Sequence, residues 1–303
     1  MNRPLALLLT LLAPLPGCAH PSDSATQAAE SPTPAVASAP ASASPSTPSS
    51  EQADLSRFFT NAEGTFVLLD GQTGRTVRHN PERARQRFIP ASTFKIPNSL
   101  IALETNVASG PEFPLPWDPE VAPPQPWWRD SWKRDQTLRT AFRESVVWYY
   151  QELARRIGPE RMQTYVQRFG YGNRDLSGGI DQFWLRGGLR ISPDEQVEFL
   201  RRFFHGELGV SPRSTQIVKD ILLVEQTPEY KLSGKSGTTM VDGHEDRELA
   251  WFVGYVERGN QVHFYALNME GDSVGEDWPP GKRVGLTREI LRELRVLPRS
   301  ASG

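Results

Sequence analysis

Ser92 and Lys95 stand three residues apart in Ala91-Ser92-Thr93-Phe94-Lys95, a spacing that puts both side chains on one face of a helix. A serine hydroxyl is a poor nucleophile until a base is held beside it. A lysine amine can be that base only if its surroundings strip its proton or modify it, since it ordinarily titrates at about pH 10.4. The neighbours of Lys95 are apolar: Phe88-Ile89-Pro90 come before the pair and Ile96-Pro97 after it. Ser-x-x-Lys is short enough to arise by chance, and its ordinary meaning is a helix start with a solvated lysine. Here it is the sole match, and its lysine sits where a solvated face would want polar neighbours.

Three further motifs come in order: Ser145-Val146-Val147, Tyr171-Gly172-Asn173 and Lys235-Ser236-Gly237. Taken singly, Ser145 reads equally as a helix cap and Tyr171-Gly172-Asn173 as a turn. Gly234-Lys235-Ser236 looks like the end of a phosphate-binding loop, but Glu229 stands where that loop needs glycine. On a strand, Lys235 would supply positive potential and Ser236 a hydrogen bond, while Gly237 would let a substrate backbone approach closely.

The elements that must hold these residues are set by patterning. Phe66 to Leu69 and Thr76-Val77 flank Asp70-Gly71-Gln72-Thr73-Gly74, a hairpin signal. A helix is predicted from the Ser92 segment to about Glu104, with Pro97 tolerated near its start. Residues 110–136 are rich in Pro and Trp (Trp117, Trp127, Trp128, Trp132) and read as a long loop whose tryptophans serve packing. Helices are predicted over Leu138 to Arg143, from Ser145 to Ile157, and from Pro159 to Phe169, closing at Gly170. Ser192-Pro193-Asp194-Glu195 is a capping box. Ser211-Pro212 opens a helix reaching about Val224. Strands are predicted over Tyr230 to Thr239, Leu249 to Glu257 and Val262 to Met269, with Gly259-Asn260 as the last turn. Leu286, Ile290, Leu291 and Leu294 mark a closing helix. The fold class is α/β in the α+β sense: an antiparallel sheet built from both chain ends, with a helical insertion.

The chain has 303 residues, 38% hydrophobic, with a net charge of −2, enough for one sizeable domain plus extensions. That balance offers no basic stripe for nucleic acid. Five histidines, His20, His79, His205, His244 and His263, are scattered without ligand spacing, and no metal is expected. The one cysteine, Cys18, excludes an internal disulfide. Residues 1–18 read as a secretory signal ending in Leu15-Pro16-Gly17-Cys18, which resembles a bacterial lipobox. The alternative is an ordinary secreted protein cut nearby. Residues 19–54 are Ala, Ser, Pro and Thr with few large apolar side chains, a disordered tether by composition. The catalytic domain is expected over 55–303. These features imply a bacterial periplasmic protein, lipid-anchored through Cys18 to a membrane. Both a monomer and a homodimer are compatible with them.

The four motifs in this order resemble those of the class D, oxacillinase-type serine β-lactamases. Phe183-Trp184-Leu185, Ile191-Ser192-Pro193, Trp251 to Val256 and Ala266-Leu267-Asn268-Met269 extend the resemblance to roughly residues 55–296. The loop at 111–128 departs most, and Ser236 replaces a common threonine while keeping the hydroxyl. The resemblance implies a serine hydrolase that opens the β-lactam ring through an acyl-enzyme on Ser92, an activity that confers antibiotic resistance. It implies that Lys95 carries a carbamate formed from carbon dioxide, N6-carboxylysine, as general base in both steps, with no other cofactor. Trp184 would donate its indole N–H to that anion, and Val147 and Leu185 would form an apolar lid. Backbone N–H groups of Ser92 and Thr238 would hold the oxyanion. Ser145 would relay a proton to the lactam nitrogen with Lys235 nearby. Arg283, with Lys282 adjacent, would take the substrate carboxylate. Tyr171 and Asn173 are structural supports. The loop at 241–247 is where substrate preference would be sought.

Class A enzymes instead want Ser-Asp-Asn where this chain has Ser145-Val146-Val147, and a glutamate to activate water. A β-lactam sensor that acylates without hydrolysing and a peptidoglycan transpeptidase share Ser-x-x-Lys. Trp184, Val147 and Leu185 favour the carbamate, and hence hydrolysis, over both. A non-catalytic surface lipoprotein would not require Ser92, Lys95 and Trp184 together.

Overall fold

The computed structural model describes residues 50–60, 62–244, 246–272 and 282–299. The signal segment, Cys18 and the tether as far as residue 49 lie outside the described residues. The chain enters through strand β1 (Ser50–Gln52) and a hairpin of β2 (Glu63–Asp70) and β3 (Thr76–His79). Its turn forms because the Asp70 carboxylate accepts from the N–H groups of Gln72 and Thr73, at 2.8 and 3.1 Å. Helix α1 (Pro81–Arg85) is capped by Asn80, whose side chain accepts from the N–H of Arg83.

The insertion comes next. Helix α2 (Lys95–Glu104) continues from a 3₁₀ turn at Ala91–Phe94. A minimal sheet of β4 (Pro114–Leu115) and β5 (Gln136–Thr137) pins the long loop at its two ends. Then come α3 (Leu138–Glu144), α4 (Val147–Ile157), α5 (Pro159–Phe169), α6 (Pro193–Phe204) and α7 (Pro212–Leu222). The chain returns to the sheet with β6 (Leu223–Gln226), β7 (Lys231–Met240), β8 (Arg247–Arg258) and β9 (Gln261–Asp272), and closes with α8 (Arg283–Glu293).

The large sheet runs β1-β3-β2-β9-β8-β7-β6, so strands from both chain ends meet where β2 pairs with β9. Period-2 alternation divides the apolar residues between its faces. Val67, Leu69, Trp251, Val253, Tyr255, Phe264 and Ala266 belong to the core beneath the helices. Phe66, Leu68, Phe252, Val256, Tyr265 and Leu267 face the other way, onto Ile290 and Leu291 of α8. Burying each of these large side chains contributes about 1.5–3 kcal/mol. The sheet is thus a rigid plate, buried on both faces, from which β7 presents its motif.

Three sequence expectations are corrected. Ser50–Gln52, assigned by composition to the tether, pairs with β3 in parallel, so the sheet is not purely antiparallel and folded structure begins before Leu55. The helix from Pro212 stops at Leu222, because Leu223 turns extended and pairs with Ser233 of β7. Ser145 does not open a helix: it ends α3 in the left-handed region at φ 60°, and Val146 precedes α4. The loop tryptophans do serve packing: Trp132 is buried, and Trp127, though 62% exposed, lies ring to ring with Trp128 and Trp132 at 6.2 and 5.5 Å.

Arg83 fastens α1 to this plate. Its guanidinium is 3% exposed, donates to Asn268 Oδ1 at 3.0 Å and to Glu270 at 3.2 Å, and lies 3.3 Å from Glu63. Without Arg83, Glu270 keeps its pairing with Arg247 at 3.2 Å and Glu63 is largely solvated, so the main losses are the buried hydrogen bonds to Asn268 and Glu270, charge-assisted and worth about 1.5–3 kcal/mol each. Arg83→Ala is therefore expected to lower the unfolding free energy by about 2–3 kcal/mol, seen as a lower urea midpoint with an unchanged m-value in equilibrium unfolding.

Candidate active site

The Ser92 turn is clamped from three sides. Phe88 and Ile191 exchange backbone hydrogen bonds at 2.9 Å in both directions. The Trp251 indole donates to the carbonyl of Ile89 at 2.9 Å. Ala91 donates to the carbonyl of Trp184 at 3.0 Å while held in the left-handed region, φ 49°. That conformation costs about 1–3 kcal/mol for a residue with a Cβ, and it sits immediately before the nucleophile candidate. Thr93 then closes the turn, its hydroxyl donating to Pro90 O at 2.7 Å and accepting from Gln196 at 2.9 Å.

Within this clamp Lys95 Nζ donates to Ser92 Oγ at 2.7 Å. Lys95 is 1% exposed, and burial, reinforced by the charge of Lys235, holds its amine well below the usual lysine range. Its other neighbours are the Tyr150 ring, 5.2 Å from Nζ, and Ser99, whose hydroxyl donates to the Lys95 carbonyl. No carboxylate pairs with Lys95 among the described residues. A neutral amine on a serine hydroxyl is the arrangement that nucleophilic catalysis requires.

Lys235 and Ser145 meet across the cleft: Lys235 Nζ donates to Ser145 Oγ and to the Ser236 carbonyl, each at 3.0 Å. Burial, with the Arg283 and Arg129 charges behind it, brings the Lys235 amine down to about 7. The left-handed backbone of Ser145 is what makes the helix-to-helix corner that points its hydroxyl at β7. A Cβ on Gly237 would lie 3.1 Å from Pro90 O and 3.3 Å from Ser92 N, so glycine is what lets β7 run alongside the nucleophile turn. Ser236 is half-buried and Thr238 exposed on the same strand. Arg283, first residue of α8, donates to Gly237 O at 3.0 Å and to Thr238 Oγ1 at 2.5 Å, and burial lowers its guanidinium to about 10.

Trp184 is fully buried and stacks on Phe94 with centroids 5.5 Å apart, yet its indole nitrogen has no hydrogen-bond partner among the described residues. An unsatisfied buried donor costs about 1–3 kcal/mol. Val147 and Leu185 are half-buried and pack on the main core. Tyr171 and Asn173 act as supports. Tyr171 packs edge-on against Phe94 and Phe199. Asn173 accepts from the N–H of Arg190 and donates to the Gly188 carbonyl, both at 2.8 Å, which ties down the segment carrying Trp184. Arg190 in turn pairs with Asp242 at 2.6 Å, anchoring the loop after β7.

Gln196, Thr93 and Arg129 escaped sequence reasoning. Thr93 fills a variable place of Ser-x-x-Lys, and Gln196 carries no motif and reaches the site only through its bond to Thr93. Arg129 lies just past the loop at 111–128, and no motif marks it.

The family model for the Penicillin binding protein transpeptidase domain matches residues 64–291. The chain is 40% identical over 243 residues to beta-lactamase OXA-48 of Klebsiella pneumoniae, covering 78% of this chain and 85% of that one. It is 35% identical to regulatory protein BlaR1 of Bacillus licheniformis, covering 73% of this chain and 36% of that one. Among solved structures, the class D beta-lactamase YbXI from Nostoc superposes with a TM-score of 0.71 at 41% identity, over 78% of this chain and 95% of that chain. The chain belongs to the class D beta-lactamase family. The penicillin-receptor domain of BlaR from Bacillus licheniformis superposes with a TM-score of 0.75 at 31% identity, over 83% of this chain and 98% of that domain. A class D member therefore shares its backbone with both hydrolases and a receptor, and its side chains must carry the distinction.

Burial of Lys95 has a thermodynamic signature. Its folded-state pKa lies below the unfolded value, so between the two the unfolded chain binds more protons and stability rises with pH. Lys95→Met, which removes the buried amine, is expected to raise Tm in bicarbonate-free buffer at pH 8, by about 2–4 °C per kcal/mol recovered. The gain should shrink as pH approaches 10.5, read by differential scanning calorimetry across that range.

Proposed function

We propose that this class D enzyme hydrolyses β-lactams through an acyl-enzyme on Ser92, with Lys95 carbamylated by carbon dioxide as general base. The observation that carries this reading is the Ser92–Lys95 contact at 2.7 Å with the amine fully buried. A proton-free amine adds to carbon dioxide and gives up one proton to leave an anionic carbamate, which accepts protons as a carboxylate does. The unpartnered indole N–H of Trp184 supplies a donor suited to a buried anion beside the Ser92 turn.

Ser92 Oγ loses its proton toward the Lys95 side chain and attacks the lactam carbonyl. The oxyanion lies between the backbone N–H groups of Ser92 and Thr238. As the C–N bond breaks, Ser145 passes a proton to the lactam nitrogen. Lys235, hydrogen-bonded to Ser145 at 3.0 Å, is poised to refill it. Arg283 holds the substrate carboxylate on the β7 side. The proton taken by the Lys95 side chain returns to Lys235, which restores both groups before deacylation. A water then gives its proton to the Lys95 side chain and attacks the ester carbonyl, and that proton passes to Ser92 Oγ as the ester bond breaks, freeing Ser92 and the opened product. Val147 and Leu185 would shield the Lys95 side chain from bulk water. By relationship, an activity of this kind underlies antibiotic resistance.

A second reading has specific support in the BlaR relatives: acylation of Ser92 without turnover. Hydrolysis of a chromogenic cephalosporin, with and without added bicarbonate, separates the two. Turnover that rises with bicarbonate, and that falls about 10³-fold in Lys95→Ala, is the expected result. Trp184→Phe should keep the fold but require more bicarbonate for the same rate. One equivalent of acyl-Ser92 by mass spectrometry, with no turnover, would establish the sensor reading instead.

The leader supports export to the bacterial periplasm, with the folded domain held to a membrane by a lipidated Cys18. Incorporation of labelled palmitate and recovery in the membrane fraction are expected for the full chain. Cys18→Ser should abolish the first and move the protein to the soluble fraction.

A further inference from the structure

Arg129 is an exposed residue in the Pro- and Trp-rich loop, and its side chain makes no hydrogen bond or ion pair among the described residues. Its position is nonetheless fixed. The 3₁₀ turn Asp130–Trp132 comes directly after it, and Trp132 N–H donates to the Arg129 carbonyl at 3.0 Å. Trp132 is locked against the Ser145 corner twice: its indole donates to Glu144 O at 2.9 Å, and its carbonyl accepts from the Trp148 indole at 2.8 Å. Trp127 and Trp128 pack on the Trp132 ring at 5.5 and 5.8 Å. A cluster of aromatic rings therefore pins Arg129 over the wall of the cleft that carries Ser145.

The charge of Arg129 is felt in the site, where it helps lower both Lys235 and Arg283. The nearest carboxylates on its own wall are engaged: Asp130 pairs with Lys133 at 3.0 Å and Glu144 with Arg143 at 3.4 Å. The cleft thus holds Lys235 in its floor and Arg283 beside β7, where the Glu248 charge also acts on it, with Arg129 next to the Trp132 anchor of the Ser145 corner. One substrate carboxylate on Arg283 leaves the Arg129 wall uncompensated.

We propose that Arg129 is a specificity-determining residue that takes a second carboxylate, carried on the side chain of the β-lactam, so that the enzyme favours dianionic substrates. The proposal rests on the β-lactam reading of Ser92 given above. An exposed guanidinium–carboxylate contact is worth up to about 1 kcal/mol, roughly fivefold in rate or affinity, and it weakens with salt.

The test uses benzylpenicillin and its α-carboxyl derivative, which differ only by that carboxylate, on the full-length protein. The ratio of acylation efficiencies at Ser92 is read by mass spectrometry, and the ratio of kcat/KM by absorbance. In Arg129→Gln the ratio in favour of the dianion should fall about fivefold, mainly through KM, and in Arg129→Lys it should partly recover. Added salt should lower the ratio in the wild type and leave Arg129→Gln unmoved. Equal ratios in wild type and Arg129→Gln, with Ser92 still acylated, would overturn the proposal and leave the β-lactam reading intact. Acylation without turnover would revise the hydrolytic reading alone, since the ratio is still measured. Absence of acylation by either penicillin would remove both.

Discussion

The contact on which the structure turns is the Lys95 amine, 2.7 Å from a serine hydroxyl and held by burial well below the usual lysine range. Taking a lysine out of water is expensive, and no carboxylate offsets it among the described residues. The fold accepts that cost because the surroundings are over-determined. The helix that carries Lys95 is buried along nearly its whole length, and the turn before it is clamped to Ile191, Trp184 and Trp251.

The rigid plate and the helical insertion divide the work. β7 brings Lys235, Ser236 and Gly237 from the plate, and the corner between α3 and α4 brings Ser145 from the insertion. The Lys235–Ser145 hydrogen bond is where the two halves are stitched together at the cleft. Two unfavourable backbone conformations, at Ala91 and Ser145, flank that seam. Each aims a neighbouring or own hydroxyl into the cleft: Ala91 is held by its tertiary hydrogen bond to Trp184, and Ser145 by helix-terminal bonds to Ala141 and Phe142 together with the Lys235 contact. The unpartnered Trp184 indole is a third local cost held in place by the fold: a donor kept dry beside a site suited to an anion.

A shared backbone with hydrolases and with a penicillin receptor means that the fold alone does not fix the fate of an acyl-enzyme. That fate depends on how well Lys95 and its shell handle the second proton. The Arg129 wall lies outside that shell, on a loop held by aromatic packing. Loop residues of this kind can tune substrate choice without disturbing the nucleophile, because they share no hydrogen bond with it.

The sequence by itself determined the chemistry-bearing residues and most of their elements. Ser92 with Lys95, Ser145, Trp184 and Lys235-Ser236-Gly237 were legible because reactive side-chain types recur at short, fixed spacings. The strands around Trp251 and Phe264 were legible because a sheet buried on both faces needs apolar residues in unbroken runs. Only the tertiary structure decided what those residues become. Lys95 loses its proton through burial by residues distant in the chain, and Ser145 proved a helix terminus in left-handed conformation rather than a helix start. Ser50–Gln52 left its polar composition behind to pair with β3, since backbone pairing at a sheet edge asks little of side chains. Gln196 and Arg129 stayed hidden because what matters about them is their placement across the fold, and a sequence records no distance between residues far apart along it.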